Sequence, residues 1–97
     1  MRIDVDQERI ADFCKRNHIH KLSFFGSVLR DDFGPASDVD VLVEFERGAR
    51  VGLLRMAAMQ IELSEILGRS ADLRTPGDLS RYFRDKVVAS AEVQYAA

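Results

Sequence analysis

The sequence predicts an α/β (α+β) domain in which a small mixed sheet of about three strands has helices packed on one face. Three observations predict it: three segments with helical apolar spacing, short segments with strand-like patterns between them, and Gly or Pro residues at the junctions. The 97 residues, 46% hydrophobic and 31% charged, allow one core but not two. We therefore expect a single domain over residues 1–97.

The first half of the chain predicts a helix, a strand and a tight turn. Residues 6–17 have helical spacing, and Asp4 or Asp6 is placed to cap the first turn. Residues 21–25 predict a strand that ends at Gly26, and residues 27–30 predict a short helix. The apolar stripe of the first helix consists of Ile10, Phe13 and Cys14.

The next segment, residues 38–45, alternates with the two-residue period of a strand. One side carries only apolar residues and the other carries three acids and a leucine, so we expect a strand with one buried face. The first side consists of Val39, Val41, Val43 and Phe45, and the second of Asp38, Asp40, Leu42 and Glu44.

Residues 51–67 predict a long helix with two apolar stripes. A core contact explains one stripe. The second is covered either by other segments of this chain or by a partner protein or second copy, and the pattern favours neither. The stripes are Met56, Met59, Leu63, Ile66 and Leu67, and Leu54, Ala57, Ala58 and Ile61.

The last part of the chain predicts a short strand and a final helix. Gly68 ends the preceding helix, and residues 71–74 form the strand. A turn at residues 75–77 then leads into a helix over residues 78–95. Its inner stripe is Leu79, Phe83, Val87 and Ala91.

Composition excludes several classes of protein. The net charge of −2 and the pI near 5.6 weigh against direct nucleic-acid binding, which usually needs a basic surface. No apolar run approaches the roughly 20 residues of a membrane span, and the first residues do not resemble a signal peptide. We expect a cytoplasmic protein in which the single cysteine, Cys14, is a buried hydrophobic residue. We expect His18 and His20 to be exposed.

Asp38 and Asp40 are the first candidates for chemistry. Two residues apart on a strand, their carboxylates share a face with Cα atoms roughly 6–7 Å apart, and a cation would relieve their repulsion. Oxygen ligands without His or Cys favour a hard ion such as Mg²⁺. A solvated acidic face, which Glu44 and Glu46 support, explains these two residues equally well.

Gly26-Ser27 strengthens the metal interpretation, because a strand that turns into a helix at glycine can bind phosphates through its backbone amides. Arg30 could reach the same anion. Asp72 is the best candidate for a third carboxylate, and Glu44 is the second choice. An ion pair with Arg69 or Arg74 is an alternative role for Asp72.

Together these residues match a known pattern. Gly26-Ser27, ten intervening residues, Asp38-Val39-Asp40 and the later Asp72-Leu73-Arg74-Thr75-Pro76 resemble the minimal nucleotidyltransferase (MNT) branch of the DNA polymerase β-like superfamily. The resemblance covers residues from about 20 to 95 and implies the polymerase β-like nucleotidyltransferase fold. After Gly-Ser this chain keeps the family's Arg, as Arg30, but has Asp31 in place of the Gly that follows it.

The resemblance also implies a site and a role. Asp38 and Asp40 would bind two Mg²⁺ ions, and Asp72 would complete the metal site and help activate the nucleophile. Gly26-Ser27 with Arg30 would hold ATP. MNT proteins of this size resemble antitoxins that transfer AMP from ATP to a tyrosine of a HEPN-domain ribonuclease toxin. Two alternatives stay open: an adenylyltransferase for a small molecule such as an aminoglycoside, and an antitoxin that acts by binding alone.

Overall fold

The computed structural model describes residues 4–29, 34 and 37–97, and within them three α-helices and four β-strands. Their order is α1 (Gln7–Arg16), β1 (Ile19–Phe25), β2 (Val39–Phe45), α2 (Leu53–Leu67), β3 (Ala71–Arg74), α3 (Arg84–Ser90) and β4 (Glu92–Ala96). Short 3-10 turns follow β1, at Gly26–Leu29, and β3, at Pro76–Asp78. None of these helices has both the length and the apolar character needed to cross a membrane.

The strands form one mixed sheet in the order β3-β2-β1-β4. β1 pairs antiparallel with both β2 and β4, and β2 pairs parallel with β3 through the crossover helix α2. The mixed α+β class is thus confirmed, with four strands rather than about three. β1 ends at the same end of the sheet at which β2 and β3 begin.

The core lies between one face of the sheet and the helices α1 and α2. The predicted stripe of α1 is fully buried, and Asp6 caps the helix by accepting hydrogen bonds from the amides of Glu8 and Arg9 at 3.1 and 3.2 Å. Cys14 is 0% exposed, and burial raises the pKa of its thiol to about 12. β2 buries Val39, Val41 and Val43 as expected and also Leu42, which lies on the opposite face.

Helix α2 has one packed and one open face. Its first stripe packs against the core, with Met59, Leu63 and Leu67 buried. The second stripe is solvent-exposed, with Leu54 at 89% and Ile61 at 64%, so the described segments of this chain do not cover it. We call this surface, which consists of Leu54, Ala57, Ala58 and Ile61, the open face of α2.

The predicted helix over residues 78–95 is wrong. The helix covers only Arg84–Ser90, Ala91 is extended at φ −65° and ψ 142°, and residues 92–96 form β4. The physical reason is that one side of β1 would otherwise have unpaired backbone groups, and residues 92–96 pair with it. Val93 and Tyr95 are residue types that favour a strand. The expected inner stripe is not core: Phe83 is 63% exposed, and α3 buries none of its residues.

Candidate active site

Asp40 and Asp72 are direct neighbours on adjacent strands. In the parallel pairing of β2 with β3, the register places Asp40 opposite Asp72. Asp40 is flanked by buried Val39 and Val41, and Asp72 by the buried residues Ala71 and Leu73. Because successive side chains of a strand point to opposite faces, both acids project from the face opposite the helices α1 and α2.

Asp38 lies at the same end of the sheet, where β2 and β3 begin. It is exposed and immediately precedes β2, which begins one residue later than the sequence predicts. The amide of Val39 donates to the carbonyl of Ser70 at 2.9 Å, so β2 and β3 are hydrogen-bonded up to the point where both strands begin. The two-residue spacing predicts that Asp38 lies on the same side as Asp40.

Gly26 forms the corner where β1 turns towards these acids. Its φ is +73°, in the left-handed region that favours glycine, and the residue before it, Phe25, pairs with Asp40. A Cβ at residue 26 would lie 3.2 Å from the carboxyl carbon of Asp40 and would overlap its Oδ2. The glycine therefore lets the backbone corner lie directly against the Asp40 carboxylate.

The other two predicted anion-binding residues are only partly visible. The backbone of Ser27 lies in the turn Gly26–Leu29, in agreement with a short helix after β1. The side chain of Ser27 and the whole of Arg30 lie outside what the structure describes. Their roles stay predictions.

Asp72 is held by Arg74 in this structure. Arg74 donates from Nε at 3.3 Å and from Nη2 at 3.1 Å to Oδ2 of Asp72. This is one of the two ion pairs, with Arg69 or with Arg74, that the sequence allows for Asp72. Glu44, the second choice for a third carboxylate, lies four residues further along β2, opposite Lys21 in the register with β1.

A metal site of three protein ligands is not assembled in this structure: across the described residues, no three His, Cys, Asp or Glu side chains are placed to hold an ion together. The donor set itself is nonetheless suited to Mg²⁺, because it consists of carboxylate oxygens at one strand end. Asp38 and Asp40 could hold an ion, and Asp72 could join them after Arg74 moves. His18 and His20 are exposed, as expected.

A cleft of about 550 Å³ opens beside Gly26. Sequence reasoning missed it, because Phe83 and Val87 have the spacing of a core stripe and the helix that carries them ends earlier than predicted. The lysine one turn after Phe83 gives no signal by itself, because exposed lysines are common on helices. The cleft is lined by Phe25, Gly26, Leu29, Phe83, Lys86, Val87 and Ser90.

The sequence matches known nucleotidyltransferases over most of its length. The family model described as a nucleotidyltransferase domain matches residues 7–95. A protein of Methanocaldococcus jannaschii that is named as a protein adenylyltransferase is 30% identical over 91 residues, which are 94% of this chain and 96% of that protein.

Solved structures agree with the fold. A minimal nucleotidyltransferase structure is 32% identical, with a TM-score of 0.72 over 88% of this chain and 85% of its own. A toxin-antitoxin structure with AMP-PNP has a TM-score of 0.75 at 17% identity, covering 96% of this chain and 75% of its own.

A third structure, tri-AMPylated Shewanella oneidensis HEPN toxin in complex with MNT antitoxin, gives a TM-score of 0.66 at 17% identity, over 94% and 70% of the two chains. At 17% identity, it and the AMP-PNP structure show the fold alone. The matched family model and the 30% identical relative show the family itself. The end of the sheet that brings Gly26, Asp40 and Asp72 together agrees with this family. This chain belongs to the nucleotidyltransferase domain family and is a nucleotidyltransferase of the minimal type.

Proposed function

We propose that this protein is a Mg²⁺-dependent adenylyltransferase that transfers AMP from ATP to a tyrosine of a HEPN ribonuclease toxin and thereby acts as its antitoxin. The observation that carries the proposal is the register of β2 and β3, in which Asp40 and Asp72 are adjacent, with Gly26 against the Asp40 carboxylate. In this reaction the tyrosine oxygen attacks the α-phosphorus of ATP. Pyrophosphate leaves, and the hydroxyl proton passes to a base.

Each residue of the site has an assigned task. Asp38 and Asp40 would hold Mg²⁺, which when bound would neutralise phosphate charge and lower the pKa of the attacking hydroxyl. The backbone corner at Gly26, which a side chain would block, lies close enough to Asp40 for the triphosphate to meet the same carboxylate. Arg74 contacts Oδ2 of Asp72, so we assign Oδ1 to the proton of the acceptor.

Two observations support a protein as the acceptor. The relative from M. jannaschii is named as a protein adenylyltransferase, and the S. oneidensis structure contains an AMPylated HEPN toxin with an MNT antitoxin. The open face of α2, with Leu54 and Ile61 largely exposed, is the kind of apolar surface that a protein partner covers.

The test is transfer of labelled AMP to the cognate toxin in the presence of Mg²⁺, followed by mass spectrometry. We expect a toxin heavier by one or more AMP units on a tyrosine. Asp38→Asn/Asp40→Asn should reduce transfer by at least about 100-fold, because the ion loses both ligands. The control Glu8→Gln/Glu65→Gln removes the same charge from exposed positions on α1 and α2 and should transfer normally.

Two observations favour a second candidate, an antitoxin that acts by binding alone. Asp72 is paired with Arg74, and within the described residues no three-ligand metal site is assembled. If the Asp38→Asn/Asp40→Asn variant neutralises the toxin as well as the wild type, and the wild type adds no mass, the binding candidate replaces the enzymatic one. Label transferred to an aminoglycoside but not to the toxin would instead indicate a small-molecule acceptor.

A further inference from the structure

We propose that the cleft beside Gly26 binds the nucleotide itself, with Lys86 contacting the triphosphate and Phe83 packing against the purine base. This assignment rests on the proposed function and specifies two residues that the sequence pattern of the site does not contain. The ligand class is a purine nucleoside triphosphate.

The wall of the cleft on the α3 side consists of Phe83, which directly precedes α3, and of one face of α3. Phe83, Lys86, Val87 and Ser90 are spaced at positions i, i+3, i+4 and i+7, which lie above one another at the helical period. These residues therefore face the cleft together, although residues with this spacing normally face a core. Phe83 is 63% exposed, so packing against the described residues does not explain its position.

Helix α3 is fixed in place as this wall. Arg84 donates from Nε to the carbonyl of Pro76 at 2.7 Å and from Nη2 to the carbonyl of Leu79 at 3.2 Å. These bonds connect the start of α3 to the turn after β3. The side chains that line the cleft are thus presented by a positioned helix.

The chemistry of the lining suits a nucleotide. A volume of about 550 Å³ lies in the range of roughly 300–1,000 Å³ that small-molecule sites have. Among the described lining residues, four are apolar (Phe25, Leu29, Phe83 and Val87) and Lys86 is charged. Ser90 donates to the carbonyls of Lys86 and Val87 at 2.9 and 3.3 Å, so its hydroxyl proton is engaged within α3.

The position of the cleft determines which end of the ligand lies where. Gly26 belongs both to the cleft and to the corner against Asp40, so the phosphates lie at this end. The cationic side chain of Lys86 can contact them there. Aromatic rings stack on nucleobases at little conformational cost, and Phe83 offers such a ring at the open part of the wall.

The experiment measures binding by calorimetry, with Mg²⁺ present, for three probes: ATP, adenosine and inorganic triphosphate. Lys86→Met should weaken ATP and triphosphate about tenfold and leave adenosine unchanged. Phe83→Ala should weaken ATP and adenosine about tenfold and leave triphosphate unchanged. The controls are Lys15→Met, on the exposed side of α1, and Tyr82→Ala, which removes the adjacent aromatic ring outside the cleft.

The outcomes separate this inference from the proposed function. If both cleft variants bind all three probes like the wild type, the inference is overturned, and normal AMP transfer by the wild type would leave the proposed function intact. If the cleft variants lose affinity as stated but the wild type transfers no AMP to the toxin, the cleft assignment holds and the proposed function fails.

Discussion

Gly26 is under two constraints that act on the same residue. Its backbone is left-handed, at φ +73°, and the space where a Cβ would be is occupied by the carboxylate of Asp40. The first constraint concerns stability alone. The second concerns the site, because a side chain here must displace the carboxylate that we expect to hold Mg²⁺.

We predict that Gly26→Ala lowers both stability and AMP transfer. The left-handed backbone should cost about 1–2 kcal/mol of the free energy of unfolding, and displacement of Asp40 should reduce transfer at least about tenfold. Urea unfolding and the toxin-labelling assay measure the two effects.

Gly48→Ala is the matched control, since Gly48 has a φ of +84° and an open space where its Cβ would be. It should lose similar backbone stability and keep its activity. Equal activity in the two variants would contradict the role of the Gly26 corner.

Single residues of the site could be predicted from the sequence, but their contacts could not. The spacing of Gly26 and Asp40 indicates two halves of one site, whereas their direct contact depends on the pairing of β1 with β2. For Asp72 the sequence leaves two roles open, and the ion pair with Arg74 becomes visible only in the structure. Lys86 escaped notice because an exposed lysine on a helix is ordinary in any sequence.

At the scale of elements, the two faces of α2 lie in different environments, one in the core and one in solvent. Its packed face buries Met59, Leu63 and Leu67, and its open face carries exposed Leu54 and Ile61. Sequence periodicity identified both stripes. It could not decide what covers the second one, because that depends on the tertiary positions of all the other elements.

We predict that Leu54→Lys/Ile61→Lys unfolds within about 0.5 kcal/mol of the wild type, because both side chains are already in solvent. The same variant should bind the toxin at least about tenfold more weakly in calorimetry, since two charges would be desolvated at the interface.

Met59→Ala provides the comparison within the same helix. Met59 is 2% exposed, and its truncation should cost about 2–5 kcal/mol of unfolding free energy. Wild-type toxin affinity in Leu54→Lys/Ile61→Lys would show that the open face of α2 is not the toxin-binding surface.

The final helix shows where local pattern fails. Residues 79–91 have apolar residues at helical spacing, yet only Arg84–Ser90 is α-helical, and the chain then pairs with β1. Pairing with a strand about 70 residues earlier is a long-range interaction that no window of local sequence contains.

At the scale of the whole molecule, β4 makes β1 an internal strand. β1 pairs with β2 on one side and with β4 on the other, and the side chain of Gln7 on α1 donates to that of Gln94 on β4 at 3.3 Å. Tyr95 also packs against the core. The strand that ends at Gly26 is therefore held from both sides.

We predict that removal of residues 92–97 weakens the entire fold rather than one helix end. The edge of β1 would be exposed, which favours aggregation, and the apolar contact of Tyr95 would be lost. Thermal unfolding should shift to lower temperature by about 8 °C or more, as a loss of about 2 kcal/mol implies for a domain of this size. Size-exclusion chromatography should reveal larger species.

A glutamine substitution at Glu92 is a suitable control, because it keeps the strand and changes only an exposed end. A truncated protein that unfolds like the wild type and elutes as the same species would contradict the structural importance of β4.

The position of β4 in the chain also has a consequence for biosynthesis. β1 is made early, but its second partner is made only when residues 92–96 have been translated and have left the ribosome. Until then the nascent chain presents a strand with one unpaired edge. The corner at Gly26 therefore becomes fully supported only after β4 has emerged, so a nascent chain would complete the proposed nucleotide site only once residues 92–96 have left the ribosome.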